Sequence, residues 1–276
     1  VPAVIEVLEF TPDQSKAAAA ARDVREGMMS WRLWMLLAWT DIKQRYRRSK
    51  IGQFWITLSM GLMIGVLAFI YGSIFKLPLQ NYLPYLAGGM IAWMFVSTTL
   101  VEGTSAFIAS EGIIKQSPIP LSIYIYRVIW RNFLVFMHNA LVLLVVFPFT
   151  RPLSLFNPLL LVIGLVLVLA NLFIACLLMA TFSTRFRDFP PIVASMTQIL
   201  FYVTPILYEP SQLPAGLRMI AHYNPFYHLI NVLRAPLTGE VPEPLSYAVS
   251  VGLIVVGGLV AFSFFSRFRG RIAYWL

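Results

Sequence analysis

The stretch Arg45-Tyr46-Arg47-Arg48-Ser49-Lys50-Ile51-Gly52-Gln53-Phe54-Trp55-Ile56-Thr57-Leu58 decides the fold of this chain, because a cluster of fixed positive charge runs directly into a long apolar segment. Just upstream, Trp31, Trp34, Met35, Ala38, Trp39, Ile42 and Tyr46 recur at spacings of three and four, so residues 31–46 read as an amphipathic helix with Ser30 as its N-cap. Leu33, Leu36 and Leu37 spoil a clean two-face pattern and suit contact with a second partner. A basic, tryptophan-bearing helix that leads at once into an apolar run predicts an interfacial helix on the cytoplasmic face of a membrane, followed by the first span. Resting at the headgroups and a mechanical role are both compatible with that pattern.

Composition agrees. Of 276 residues 59% are hydrophobic and 12% are charged, with mean hydropathy +0.76, against roughly 25% charged in a soluble domain. A bilayer admits helices or closed barrels, and the apolar runs here are continuous rather than alternating with period two. The expected fold is an all-α membrane protein, with residues 1–29 a disordered cytoplasmic tail (a short surface helix being the alternative) and 30–276 one transmembrane domain. The net charge of +9 could suit nucleic acid, but its distribution argues for membrane orientation and against that partner. Cys176 lies alone in an apolar run and has no intrachain disulfide partner. No secretory signal peptide is read at the start.

A span needs about 20 apolar residues. Six candidates emerge, at 51–75, 85–109, 132–150, 157–182, 191–208 and 246–266. The N-terminal region, the 110–131 and 183–190 loops and the C-terminal tail hold 17 of the 21 Lys and Arg residues, which predicts that these segments and both termini are cytoplasmic.

Two connectors are unusual. In the 110–131 loop, Glu111 to Gln116 reads as a short helix ended by Pro118. It is either an ordinary connector or a docking element for a soluble motor. The segment 209–245 is too apolar for a solvated loop. Asn224 and Pro225 are N-cap and first-turn signals for a helix at 225–235, which at about 16 Å is too short to cross. A re-entrant helical hairpin between spans five and six is expected, with an interfacial flap as the alternative.

Catalytic signals are missing. No phosphate loop and no Gly-Lys pair occur, so this chain is not expected to hydrolyse ATP. His138, His222 and His228 lack metal-ligand spacing, and no nucleophile–base pair is visible. Glu102 is the carboxylate placed clearly inside a span, so the coupling groups of an ion-driven carrier are scarce. Gly61 and Gly65 form a small-xxx-small pair that would permit close helix contact. Tyr82, Tyr85 and Tyr208 fit an interfacial belt. Phe69, Tyr71, Trp93, Phe201 and Tyr202, with Gln198 in the fifth span, offer aromatic and polar surface on which sugars could stack, lipid-facing packing being the plain alternative.

Several segments carry a resemblance. They are Arg45 to Trp55, Pro118 to Trp130, Arg131-Asn132, His138-Asn139, Arg187-Asp188, Gln198, Phe201-Tyr202, Thr204-Pro205-Ile206-Leu207-Tyr208, Asn224-Pro225 with Arg234, and Arg271-Ile272-Ala273-Tyr274-Trp275-Leu276. In this order and spacing the chain resembles, over residues 30 to 276, the membrane (permease) subunit of ABC transporters that export polysaccharide. It is most similar to the O-antigen and lipopolysaccharide exporters, with capsule and teichoic-acid exporters as cousins. The family often has Leu-Gly-Pro where this chain has Ile51-Gly52-Gln53.

The resemblance implies a homodimer in the cytoplasmic (inner) membrane that passes a lipid-linked glycan through a central channel. Two copies of a separate ATPase subunit would bind ATP and Mg; no cofactor or metal is expected in this chain. It implies a gate or interface helix carrying Trp31, Trp34, Trp39, Arg45, Tyr46, Arg47 and Arg48. It implies a coupling segment carrying Glu111, Ile113, Ile114, Lys115, Gln116 and Pro118. Phe69, Tyr71, Trp93, Gln198, Phe201 and Tyr202 are the channel candidates. A stand-alone secondary transporter or channel, and a membrane-embedded enzyme or scaffold, are the readings from other classes.

Overall fold

Backbone groups in a long apolar run can satisfy one another locally only as a helix, and the long apolar runs among the described residues do this. A computed structural model describes residues 15–47, 54–150 and 157–276, and among these no strand forms. The α-helices, in order, are α1 Lys16–Met29, α2 Trp31–Tyr46, α3 Phe54–Phe75, α4 Leu79–Thr104, α5 Glu111–Gln116, α6 Ser122–Thr150, α7 Pro158–Arg185, α8 Phe189–Val203, α9 Ala215–Tyr223, α10 Pro225–Thr238, α11 Pro244–Phe268 and α12 Ile272–Trp275. Arg48, residues 1–14 of the expected tail and the charged-to-apolar junction at 48–53 lie outside the described residues.

Among the described residues five helices, α3, α4, α6, α7 and α11, are long and apolar enough to cross a membrane. The expected fifth span, 191–208, is a helix of 15 residues, about 22 Å long. It stops at Thr204, whose backbone is extended (ψ 133°) because Pro205 follows and disfavours the α region in the residue before it. The chain then runs as irregular backbone into α9 and α10.

α4 is the hub. It packs against α3, α6, α7, α8 and α10, and 78% of its most apolar stretch is buried, against 17% for α3 and for α11. α3 and α11 therefore turn most of their surface outward. Lipid is as apolar as leucine, so close packing rather than the hydrophobic effect must hold such helices together. Small residues permit it: Gly103 of α4 leaves just enough room for Cys176 of α7, and Gly164 of α7 lies against the Val232 carbonyl of α10. The Gly61 and Gly65 pair does not act this way within the protomer. Gly61 faces the Val142 side chain, while a side chain at Gly65 would meet nothing within 4 Å.

The tail expected to be disordered is helical from Lys16. Ser15 caps it, accepting from the Ala18 N–H at 3.2 Å, and its alanine run has the highest helix propensity. Docking holds it in place. Asp23 is buried and accepts from the Leu121 and Ser122 N–H groups at 3.0 and 2.9 Å, capping the start of α6, and from Arg269 Nε at 2.7 Å beyond α11. Ser30 does not cap α2 as expected, because its hydroxyl donates back to the Glu26 carbonyl at 2.8 Å and joins the two helices.

Two helix ends use a left-handed residue. Gly239 (φ 79°) closes α10, with the Glu240 N–H donating to Ala235 at 2.7 Å, and Lys76 (φ 53°) closes α3, with the Leu77 N–H donating to Gly72 at 3.0 Å. Glycine takes this conformation freely, whereas lysine does so against its Cβ.

Candidate functional site

Three assemblies position the predicted residues. The first fixes α2 across the bundle. Trp34, Ala38 and Ile42 turn inward, Ala38 and Ile42 being fully buried, and Trp34 stacks on Tyr126 at 5.8 Å with its edge to Trp130 at 5.6 Å. Trp31, Leu33, Leu36 and Trp39 are exposed, so the inward face is narrower than the tryptophan pattern suggested.

Beside this apolar contact lies an ion network. The Asp41 carboxylate accepts from Arg127 through both oxygens and from Arg131 Nη1 at 2.6 Å. Arg131 also donates to Glu102 at 2.7 Å, Asn132 Nδ2 donates to Glu102 at 2.8 Å, and Arg45 completes it at 3.0 Å. Burial alone would push the Asp41 carboxyl up; the Arg127 and Arg131 guanidiniums outweigh it and hold it below the ordinary carboxylate value. Three arginines share two carboxylates, so α2, α4 and α6 are tied at the arginine-rich end. Glu102 is engaged here rather than free at the membrane surface. Arg47 lies just past the end of α2 and is exposed. Sequence reasoning singled out neither Asp41 nor the arginines on α6 as its partners.

The second assembly is α5, which has the predicted bounds. A short 3-10 turn, Ile108–Ser110, delivers it, and none of its residues is buried. Ile114 leans on an apolar cluster that includes Phe107, Ile125 and Leu177. Ile113, Lys115, Gln116 and, beyond the helix, Pro118 are exposed. Lys115 bonds Glu111 at 2.7 Å, and this bond, assisted by Arg187, holds the Glu111 carboxyl below its usual value against a weak opposing effect of burial. Arg187 in turn donates to the backbone oxygen of Leu276 at 3.0 Å. α5 is a six-residue stub that is anchored on one side and open on the other.

The third assembly holds the irregular backbone after α8, where Thr204 to Leu207 are buried. Carbonyls freed from a helix at such depth must find donors. Tyr82 Oη donates to Leu207 at 2.5 Å, Arg234 Nη1 donates to Pro205 at 2.9 Å, and Tyr85 Oη reaches the Pro205 and Tyr208 carbonyls at 3.1 and 3.0 Å. Asn224 bonds Thr204 Oγ1 at 2.9 Å while its own Oδ1 caps α10 at Phe226, as its position predicts. Arg234 is buried and lies over the Tyr85 ring at 4.0 Å. Tyr82 and Tyr85 are therefore inward-facing clamps and not members of an interfacial belt.

The six channel candidates are not gathered in one place. Trp93 is buried between Phe201 and Phe226, with ring centroids 6.0 Å from each. Phe69 is 72% exposed on α3, while Tyr71 is half-buried. Gln198 and Tyr202 are exposed on the outer face of α8, alongside Ile199 and Met196, and Phe201 packs inward beside Tyr202.

Comparisons with known proteins extend this picture. The family model described as ABC-2 type transporter matches residues 32–237. An O-antigen export system permease protein RfbA of Klebsiella pneumoniae is 28% identical over 239 residues, covering 84% of this chain and 90% of that protein. A second from Klebsiella pneumoniae is 26% identical with the same coverage. One from Myxococcus xanthus is 25% identical over 246 residues, covering 85% and 92%.

Proposed function

Since the chain belongs to the ABC-2 type transporter family of membrane proteins, we propose that it is the membrane subunit of an ATP-driven exporter of O-antigen-type polysaccharide. The observation that carries this is end-to-end similarity to three O-antigen export permeases, over 90% or more of their length. The substrate is a lipid-linked glycan, and capsule or teichoic-acid polymers are the second reading. A separate ATPase subunit, present in two copies, binds ATP and Mg. The exposed stub of α5 suits its docking, since a short helix anchored by Ile114 can transmit a push.

The protein works as a homodimer in the inner membrane with both ends of the chain cytoplasmic, a reading supported by the uneven distribution of its basic residues. α8 serves as the fifth of six spans, extended by the irregular 204–208 segment, and α9 with α10 forms a re-entrant hairpin towards the outer leaflet. α2 lies at the cytoplasmic interface as a gate. The path runs between protomers along α3 and α8. Gln198 and Tyr202 face it, together with Phe69 and Tyr71, while Trp93 and Phe201 stiffen the wall from behind.

The test is reconstitution with a co-purified ATPase in proteoliposomes loaded with lipid-linked O-antigen. ATP-dependent translocation is expected, and the chain alone hydrolyses no ATP. An active, correctly assembled complex that moves no glycan would reject the reading. Cysteines at Lys76 and Pro78, the exposed residues between α3 and α4, should label from outside intact cells; labelling only after permeabilisation would reverse the topology.

A further inference from the structure

At the arginine-rich end, α7, α11 and the segment through α12 line a half-open cavity of about 410 Å³. Its walls are aromatic: Phe182 and Phe186 from the end of α7, Phe264 and Phe268 from α11, and Trp275 from α12. The rings support one another, with Phe182 stacked on Phe186 at 4.6 Å, Phe264 against Phe268 at 4.7 Å and Phe268 against Trp275 at 5.4 Å. Two arginines complete the lining, Arg185 and Arg271.

Those two differ from their neighbours. Arg187 is held by the Leu276 backbone oxygen and Glu111, and Arg269 is held by Asp23. Arg185 and Arg271 are exposed and have no hydrogen bond or ion pair among the described residues. The cavity thus presents an apolar aromatic floor and two uncompensated guanidiniums with no acidic side chain in its lining. A small soluble anion would leave the floor wet, and a neutral lipid would leave both cations unanswered. An amphiphile with an anionic phosphate head and acyl chains answers both, and basic pockets between spans at the cytoplasmic surface are where such heads bind.

We infer that this cavity is a binding site for an anionic phospholipid, with Arg185 and Arg271 on its phosphate and the phenylalanines along the first part of its chains. The site is built from α7, α11 and α12 rather than from α2. It rests on the reading that α7 and α11 span the membrane with these ends cytoplasmic.

The experiment titrates the delipidated complex with phosphatidylglycerol or phosphatidylcholine and counts bound lipids by native mass spectrometry, with glycerol 1-phosphate as the soluble-anion arm. Wild type should retain phosphatidylglycerol saturably and in preference to phosphatidylcholine, with no competition from glycerol 1-phosphate. R185Q/R271Q should bind phosphatidylglycerol about tenfold more weakly, and R185K/R271K should recover most of the binding, which separates lost charge from misfolding. In the same series, quenching of tryptophan fluorescence by bromine-labelled phosphatidylglycerol should fall in W275F. Unchanged phosphatidylglycerol binding in R185Q/R271Q, or equal retention of both lipids by wild type, overturns the proposal. So does loss of the ATPase subunit from R185Q/R271Q with lipid retained, which would mark the cavity as a protein-docking site. Loss of ATP-driven transport in wild type with lipid binding intact would fault the exporter reading and leave the lipid site standing.

Discussion

Asp41 on α2 takes Arg127 on α6 through both carboxylate oxygens, and Arg131, one turn further along α6, bridges the same Asp41 to Glu102 on α4. A planar guanidinium fork fixes orientation as well as distance. α2 is therefore locked in angle to the helices it crosses, and a force on it reaches α4 with little slack.

Removing one member strands the others. Asp41→Ala should destabilise the docking of α2 by about 2–4 kcal/mol, because part-buried Arg127 loses its carboxylate partner and Arg131 keeps only Glu102. Disulfide trapping between cysteines at Trp34 and Trp130 checks this: the yield should fall when Asp41→Ala is added. The Asp41 carboxyl sits below its ordinary value of 3.8, so its contribution is full above that pH and is lost as pH falls through the lower folded value. The melting-temperature difference between wild type and Asp41→Ala should accordingly be flat from neutral pH to about pH 4 and shrink below it. A decline centred near neutrality would point to another group.

Ile113 is the exposed apolar residue of α5. Ile113→Asp should leave the bundle intact while lowering co-purification of the ATPase subunit about tenfold or more, as for a buried anchor at an interface. Ile114→Pro should break the stub and uncouple hydrolysis from export. Normal export by a well-expressed Ile114→Pro chain would remove α5 from the coupling path.

Tyr85→Phe removes a donor that serves two carbonyls at the 204–208 break, at a cost of about 1–3 kcal/mol. Arg234→Met at the same site should cost more, since it also empties the face of Tyr85. Thermal unfolding of the purified protein in detergent would rank them, and equal stability of both variants with wild type would show that the break is held by packing.

The outward face of α8 should meet a second protomer. Gln198→Cys is expected to crosslink between copies, or to react with a water-soluble thiol reagent in an ATP-dependent state. A position reached by lipid-soluble reagents alone, in every nucleotide state, would place α8 against lipid.

The two left-handed residues give opposite signs. Gly239→Ala should destabilise by about 1 kcal/mol, and Lys76→Gly should stabilise by up to about the same amount. Melting temperatures of the two single variants, measured under one condition, test the pair.

Much of this was readable before any coordinates. α2 and α5 begin and end where charge, periodicity and Pro118 place them, and Asn224-Pro225 marks the start of α10, because these are local signals. The partners of Asp41 were not legible: a carboxylate within an amphipathic helix looks solvated until the helix that crosses it is known. Tyr82 and Tyr85 misled for a related reason. A tyrosine near a span end fits the lipid interface unless the Pro205 and Leu207 carbonyls are known to lack helical partners. α1 ranks only as the alternative to disorder in the sequence because a helix of about 14 residues is marginal on its own, and what sustains it is the long-range grip of Asp23.

That grip carries a timetable. Asp23 and Arg269 are 246 residues apart in the chain, so α1 is made long before its cationic partner. Until α11 has been inserted, the carboxylate has the N–H groups at the start of α6 but no counter-charge. A clasp that needs Arg269 can shut only once α11 is in place with that end on the same side as α1. The Asp23–Arg269 contact thus reports on the insertion of α11.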